Sequence, residues 1–357
     1  MSLSTRNYFE IVAPHLPPAL VKPEHSARIS RVAERLPPSS NFGFECHLGS
    51  SRADADFLVA VIEDDGSRAA WADGGAEVSA PEPLGKRSPW TVVGRFLADW
   101  HHNPRLSPIR DSWLEFDLPE GFHGVPEPSL FFGYSPGEPR NYPELSLELI
   151  ERLRGCHLSA SQRDLLSRCF AELPEGGVIF QVGLLLARPG DDVRLCIRRL
   201  SRVAILDYLE AIGWPGSREL LRLVLEELAA YVDGMNLDLS VSTTVRPAIG
   251  LECVISDGSR EKTRGLLGLL QRHGMCRRDK ATVLFDWLGY STEADDFDLW
   301  PAHLLKGSRS FGSEVMSTFA RTLNHFKIGI LPNRMVAAKA YLGVRHFWAR
   351  RTAEVAT

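Results

Sequence analysis

Strict alternation of apolar and polar side chains in residues 326–344, FKIGILPNRMVAAKAYLGV, constrains the fold of this chain more than any other feature. Side chains on an extended strand point to opposite faces with a period of two. Val336, Ala338, Ala340, Leu342 and Val344 therefore share one face, and Ala337, Lys339, Tyr341 and Gly343 the other. Ile328 and Ile330 oppose Lys327 and Gly329 in the same way. The breaker Leu331-Pro332-Asn333-Arg334 joins the two runs into a hairpin. One face dry and one carrying lysine and tyrosine make a piece of wall, apolar outside and polar inside.

Four further strand pairs precede it. Residues 42–48 and 57–63 form the first, 113–118 and 129–134 the second, and 237–244 and 250–255 the fourth. The third, 178–187 and 193–200, is joined by the turn Arg188-Pro189-Gly190-Asp191-Asp192. Helical spacing predicts helices over 26–36, 90–100, 145–154, 161–171, 202–212, 217–232, 261–272, 279–288 and 312–324. Ser159 with Gln162 has the spacing of a capping box. A Gly-, Ala- and Pro-rich loop is expected before Ser88.

The order helix, strand, strand, helix thus recurs five times, with hairpins starting near 42, 112, 177, 236 and 325, and such recurrence points to a closed or stacked architecture. Ten twisted strands curl readily, and closure removes the exposed edges. The expected class is α+β: a ten-stranded antiparallel β-barrel of five α-β-β-α units with its helices outside. One domain spans 1–357, with an arm at 1–26, the units over 27–350 and an insertion at 289–311. The inner faces carry Glu45 and His47; Trp113, Glu115 and Asp117; Gln181 and Gly183; Arg194, Cys196 and Arg198; Asp238, Ser240 and Ser242; Gly250 and Glu252. A barrel of ten strands is wider than the eight that side chains nearly fill. The inward glycines Gly183, Gly250, Gly329 and Gly343 suggest room for a ligand.

Composition removes several alternatives. The chain is 44% apolar and 24% charged with a net charge of −4, which gives no sign of a nucleic-acid or anionic-membrane binder. Its six cysteines show no C-x-x-C or zinc spacing, and the start lacks the plan of a signal peptide, so a cytoplasmic protein with reduced thiols is expected. Its histidines, His325 among them, show no metal spacing and read as loop or surface residues. Dinucleotide, Walker and Gly-x-Ser-x-Gly motifs are absent.

With these residues in view, the chain resembles the ABBA-fold, or PT-barrel, aromatic prenyltransferases of specialised metabolism, and most of all their indole, dimethylallyltryptophan synthase-type branch. The resemblance implies metal-independent, cofactor-free transfer of an allylic group from its diphosphate to an aromatic, amino-acid or peptide acceptor. Lys339-x-Tyr341 matches a Lys-x-Tyr pattern of that branch, and the resemblance makes Arg194, Arg198, Lys327, Lys339 and Tyr341 the diphosphate cradle. It makes Glu115 the catalytic carboxylate beside the acceptor, with Trp113, Asp238 and Glu252 as further acceptor contacts. Fixed cations would stabilise the leaving pyrophosphate, and tyrosine faces would shield the allylic cation. Asp238 and Glu252 stand where that family would place basic residues and tyrosine. A lumen of mixed charge suits a zwitterionic ligand equally, so two alternatives stand: a non-catalytic barrel for a small molecule or peptide, or another lyase or transferase reaction using the lumen carboxylates.

Overall fold

In the computed structural model of the chain, β1 (Asn41–His47), β2 (Ala55–Ile62), β3 (Ile109–Phe116) and β4 (Pro128–Tyr134) are followed by β5 (Val178–Leu184) and β6 (Val193–Arg198). Then come β7 (Gly234–Val241), β8 (Val245–Val254), the short β9 (Gly289–Thr292), and the long pair β10 (Val315–Leu331) and β11 (Arg334–Arg350). The structure describes residues 3–63, 66–73, 88–119, 121, 124, 126–134, 141–312 and 314–350. Most of the loop expected before Ser88 lies outside them.

Every neighbouring pair is antiparallel, and the order runs β11-β1-β2-β3-β4-β5-β6-β7-β8-β10. The additional β10–β11 pairing closes this row into a ten-stranded barrel, with β9 appended to β10. Helices coat the outside, and the five hairpins are those the alternation predicts, giving the architecture of a PT barrel.

The core lies between barrel and helices. Phe42 and Phe44 of β1, Phe57 of β2 and Phe116 of β3 point outward and are fully buried. Phe9, on the helix Thr5–Val12, meets Phe42, Phe44 and Phe57 with ring centroids 6.1–6.5 Å apart. The arm is thus packed onto the barrel. Ser159 caps the helix Ala160–Ala171 by accepting from the Gln162 backbone N–H at 3.3 Å, but the Gln162 side chain donates to the Asp191 carbonyl instead of closing the box.

The structure corrects the expectation at the last unit. Of residues 312–324, with helical spacing, 315–324 belong to β10, whose residues 315–331 pair with β11 almost throughout. The β-branched Val315, Thr318 and Thr322 suit a strand, and the partner β11 decides. Val336, grouped with the dry face, is 41% exposed because it is the unpaired residue of a bulge, between Ala337 opposite Gly329 and Met335 opposite Ile330.

Candidate functional site

Alternation brings the inward residues together, and in the lumen each central cation meets a carboxylate. Lys339 and Tyr341 of β11 both donate to Glu45 on the adjoining β1, the lysine to Oε1 and the phenol to Oε2. Lys327 of β10 pairs with the fully buried Asp238 of β7, and Arg194 of β6 approaches the same carboxylate at 4.0 Å while donating to Ser240 Oγ at 3.0 Å. Arg188, in the β5–β6 turn, reaches back across the barrel mouth. Its Nη2 donates to Glu115 Oε1 and Asp117 Oδ1 at 2.6 Å each, and its Nε to Asp117 Oδ2 at 2.7 Å. Charge-assisted, forked bonds of this kind are among the strongest a side chain makes.

Electrostatics follows from these pairings. Burial pushes the Glu45 carboxyl up, but Lys339, Lys327 and the two hydrogen bonds outweigh it and hold the group at about 2. Burial likewise opposes ionisation of Asp238, yet Lys327 and Arg194 keep its pKa below the ordinary value. Lys327 is raised despite its own burial, through Asp238. Glu115 is raised by burial and by the nearby Glu45, with Arg188 opposing. Asp56 faces Glu45 across the β1–β2 ladder, and burial together with that negative neighbour pushes it up to about 7.

Two cavities border these ion pairs, and Lys327 lines both. The larger, about 280 Å³, is walled by Trp113, Phe131 and Phe180 on one side and Glu252, Asn236, His325 and Tyr341 on the other, with Glu115 and Lys327 also on its wall. Glu252 accepts from Asn236 Nδ2 at 3.1 Å. The smaller, about 150 Å³, lies among Arg194, Asp238, Lys327 and Lys339. Of the residues singled out in sequence, Trp113, Glu115, Glu252, Lys327 and Tyr341 border the larger cavity. Arg194, Asp238 and Lys339 border the smaller. Arg198 stands apart from both, its guanidinium 5.1 Å from the Phe180 ring centre.

The inward glycines make room for the protein rather than a ligand. A Cβ on Gly183 would strike the Phe131 ring, one on Gly250 would meet Lys327 Cε at 2.8 Å, and one on Gly343 would meet Asn324 Oδ1 at 2.7 Å. Only at Gly329 would a Cβ find ordinary contacts.

Several residues of the site escaped the sequence reading, Arg188, Phe180, His325, Asn236 and Asp56 among them. Arg188 looked like part of a turn, and a turn says nothing about where a long side chain returns. Phe180 joins Gln181 on the inner face through a bulge between Ile179 and Gln181, and bulges re-aim side chains without a composition signal. His325, read as surface or loop, stacks on Tyr341 inside the lumen with ring centres 4.3 Å apart. Its position two residues before Lys327 was the available signal.

Among the described residues, one cluster has metal-ligand chemistry: Glu45, His47 and Asp56 place ligand atoms within 4.8 Å of one another. The fit to a cation is poor, because Lys339 already neutralises Glu45 and both Glu45 oxygens accept hydrogen bonds.

No protein-family model matches the chain, and no curated protein matches it in sequence. Among solved structures, that of AnaPT from Neosartorya fischeri, an ABBA prenyltransferase, is similar at a TM-score of 0.49 and 12% identity over 97% of this chain and 92% of that one. At this identity the likeness concerns the course of the backbone and says nothing of the lumen residues. Among the described residues, no helix is long and apolar enough to cross a membrane.

Proposed function

We propose that the lumen binds a small aromatic molecule bearing a ring N–H or a protonated amine. The observation that supports this most is the larger cavity itself, where the rings of Trp113, Phe131 and Phe180 share one chamber with the carboxylates Glu115 and Glu252. Aromatic walls stack a flat ligand, and a few placed polar groups fix its orientation. Glu252 is the main acceptor in this reading, because it accepts from an amide and lies beside a histidine, while Lys327, opposite it on β10, bonds to Asp238 instead. Glu115 is the second, although Arg188 claims one of its oxygens.

Prenyl transfer is the second reading, favoured by the gathering of Arg194, Lys327, Lys339 and Tyr341 in one tube. In that reaction the allylic C–O bond breaks, the pyrophosphate leaves with the electron pair, the acceptor ring forms the new bond, and a carboxylate such as Glu115 takes the displaced proton. The ion pairs weigh against it as the first choice. A diphosphate brings several negative charges, and Lys327 and Lys339 would have to leave Asp238 and Glu45 to meet them. Separating a buried pair leaves an uncompensated charge at a cost of about 3–5 kcal/mol.

Thermal shift separates the readings. A ligand at about a hundred times its Kd stabilises by about 2.7 kcal/mol, a few degrees for a chain of this size. Tryptamine and N-acetyltryptophanamide are expected to raise the Tm, and Trp113→Ala or Glu252→Gln to abolish the rise. A rise with dimethylallyl diphosphate or pyrophosphate but not with the aromatic probes would replace the first reading with the second.

A further inference from the structure

β10 carries a break in its pairing. On the side away from β11 it bonds to β8 over Phe326–Ile330 and to β9 over Thr318–Arg321, and among the described residues no strand pairs with the intervening Thr322–His325. A bulge between Leu323 and His325 bends the strand at this point. Outside the break lies a cavity of about 340 Å³, lined by Phe285, Leu288 and Phe326 on its apolar side and by Ser256, Thr263 and Asn324 on its polar side. Asn324 and His325 line this outer cavity and the larger lumen cavity alike.

We propose that the break beside Thr322–His325 is a second binding site, for the main chain of an extended peptide whose aromatic side chain enters the lumen. This rests on the aromatic-ligand reading above and adds what carries the ring. An unpaired strand edge takes an extended backbone by main-chain hydrogen bonds, with pockets for alternate side chains; the Thr322 carbonyl already accepts from Trp287 Nε1 at 3.0 Å, so the main-chain groups offered to a peptide are those of Leu323–His325. His325 Nε2 is buried without a hydrogen-bond partner and lies 3.7 Å from Glu252 Oε1, beyond bonding distance, so an amide group at the break supplies what it lacks. The cation of the outer cavity is already committed: Arg321 donates to the Trp287 carbonyl at 3.0 Å and to Ser291 Oγ. That favours an uncharged amide chain over a phosphate or carboxylate. A free aromatic amine would occupy the lumen cavity and leave the outer one unused.

Isothermal titration with two probes tests this: N-acetyltryptophanamide, and the pentapeptide Ac-Ala-Ser-Trp-Ser-Ala-NH2, which presents the same ring on a longer backbone. The pentapeptide is expected to bind at least tenfold tighter. Ser256→Trp, at an exposed position on the outer cavity only, should remove that advantage and leave N-acetyltryptophanamide binding unchanged. Hydrogen exchange gives a readout independent of the variant, with the amides of residues 322–325 slowed by the pentapeptide and not by the single residue. Equal affinities, or a peptide advantage that survives Ser256→Trp, would overturn the inference while leaving the lumen reading intact. An advantage that emerges only after residues 351–357 are deleted would make the chain's own end the occupant and also overturn it. Failure of both probes to bind would remove the lumen reading, and the peptide site with it.

Discussion

Lys339 and Glu45 show what a buried pair contributes and what it hides. Taking two charges out of water is costly, and the bond repays this only while both partners remain. Lys339→Met should therefore destabilise by about 3–5 kcal/mol, read from urea unfolding at neutral pH, and adding Glu45→Gln should recover most of the loss. If the double variant is as weak as the single, the pair is not the source. Because Glu45 is held at about 2, its contribution is full above the ordinary glutamate range and disappears as pH falls toward that value. Asp56 runs the other way: raised to about 7, it holds its proton after the unfolded chain has released its own, so its contribution falls as pH climbs from the ordinary aspartate range to about 7. Asp56→Asn should flatten stability across that window and raise the Tm at pH 8. Alternation alone placed Glu45, Lys339 and Tyr341 on inner faces. It could not show that they touch, because the register between the first and last strands is written in neither.

At the scale of elements, the bulges mark where sequence periodicity stops being a guide. The hairpins were legible because each carries period-two alternation over several residues. Phe180 was not, because one extra residue in β5 turns a side chain inward without changing composition. The opening half of β10 was misread because its apolar spacing fits a helix, and a partner strand from later in the chain overrides such a local preference. Gly183→Ala tests whether the aromatic wall matters. The added methyl would displace Phe131 from its place over β5, and N-acetyltryptophanamide binding should weaken about tenfold while unfolding shifts by no more than about 1–3 kcal/mol. Unchanged binding would show that Phe131 lies outside the ligand's footprint.

For the molecule as a whole, closure is the property to test. The seam between β1 and β11 admits no extra atom at Gly43, where a Cβ would lie 2.6 Å from the Leu342 carbonyl oxygen. Gly43→Ala should cost about 1–3 kcal/mol, with amide exchange rising first along Asn41–His47 and its partners; loss confined elsewhere would argue against a seam at this position. The number of strands and their polar interior could be read from the sequence, and closure argued from the tendency of large sheets to curl. The break in pairing along β10 could not, since it depends on where β8 and β9 end relative to one another.

The same seam bears on how the protein is made. Asn41 bonds opposite Arg345, so the first strand emerges from the ribosome long before its partner has been synthesised. At roughly 5–20 residues per second the interval is on the order of half a minute. Throughout it, a growing curved sheet presents an open margin of unsatisfied amides, the feature through which nascent chains stick to one another. A cell producing this barrel must shelter that margin until translation delivers the closing strand.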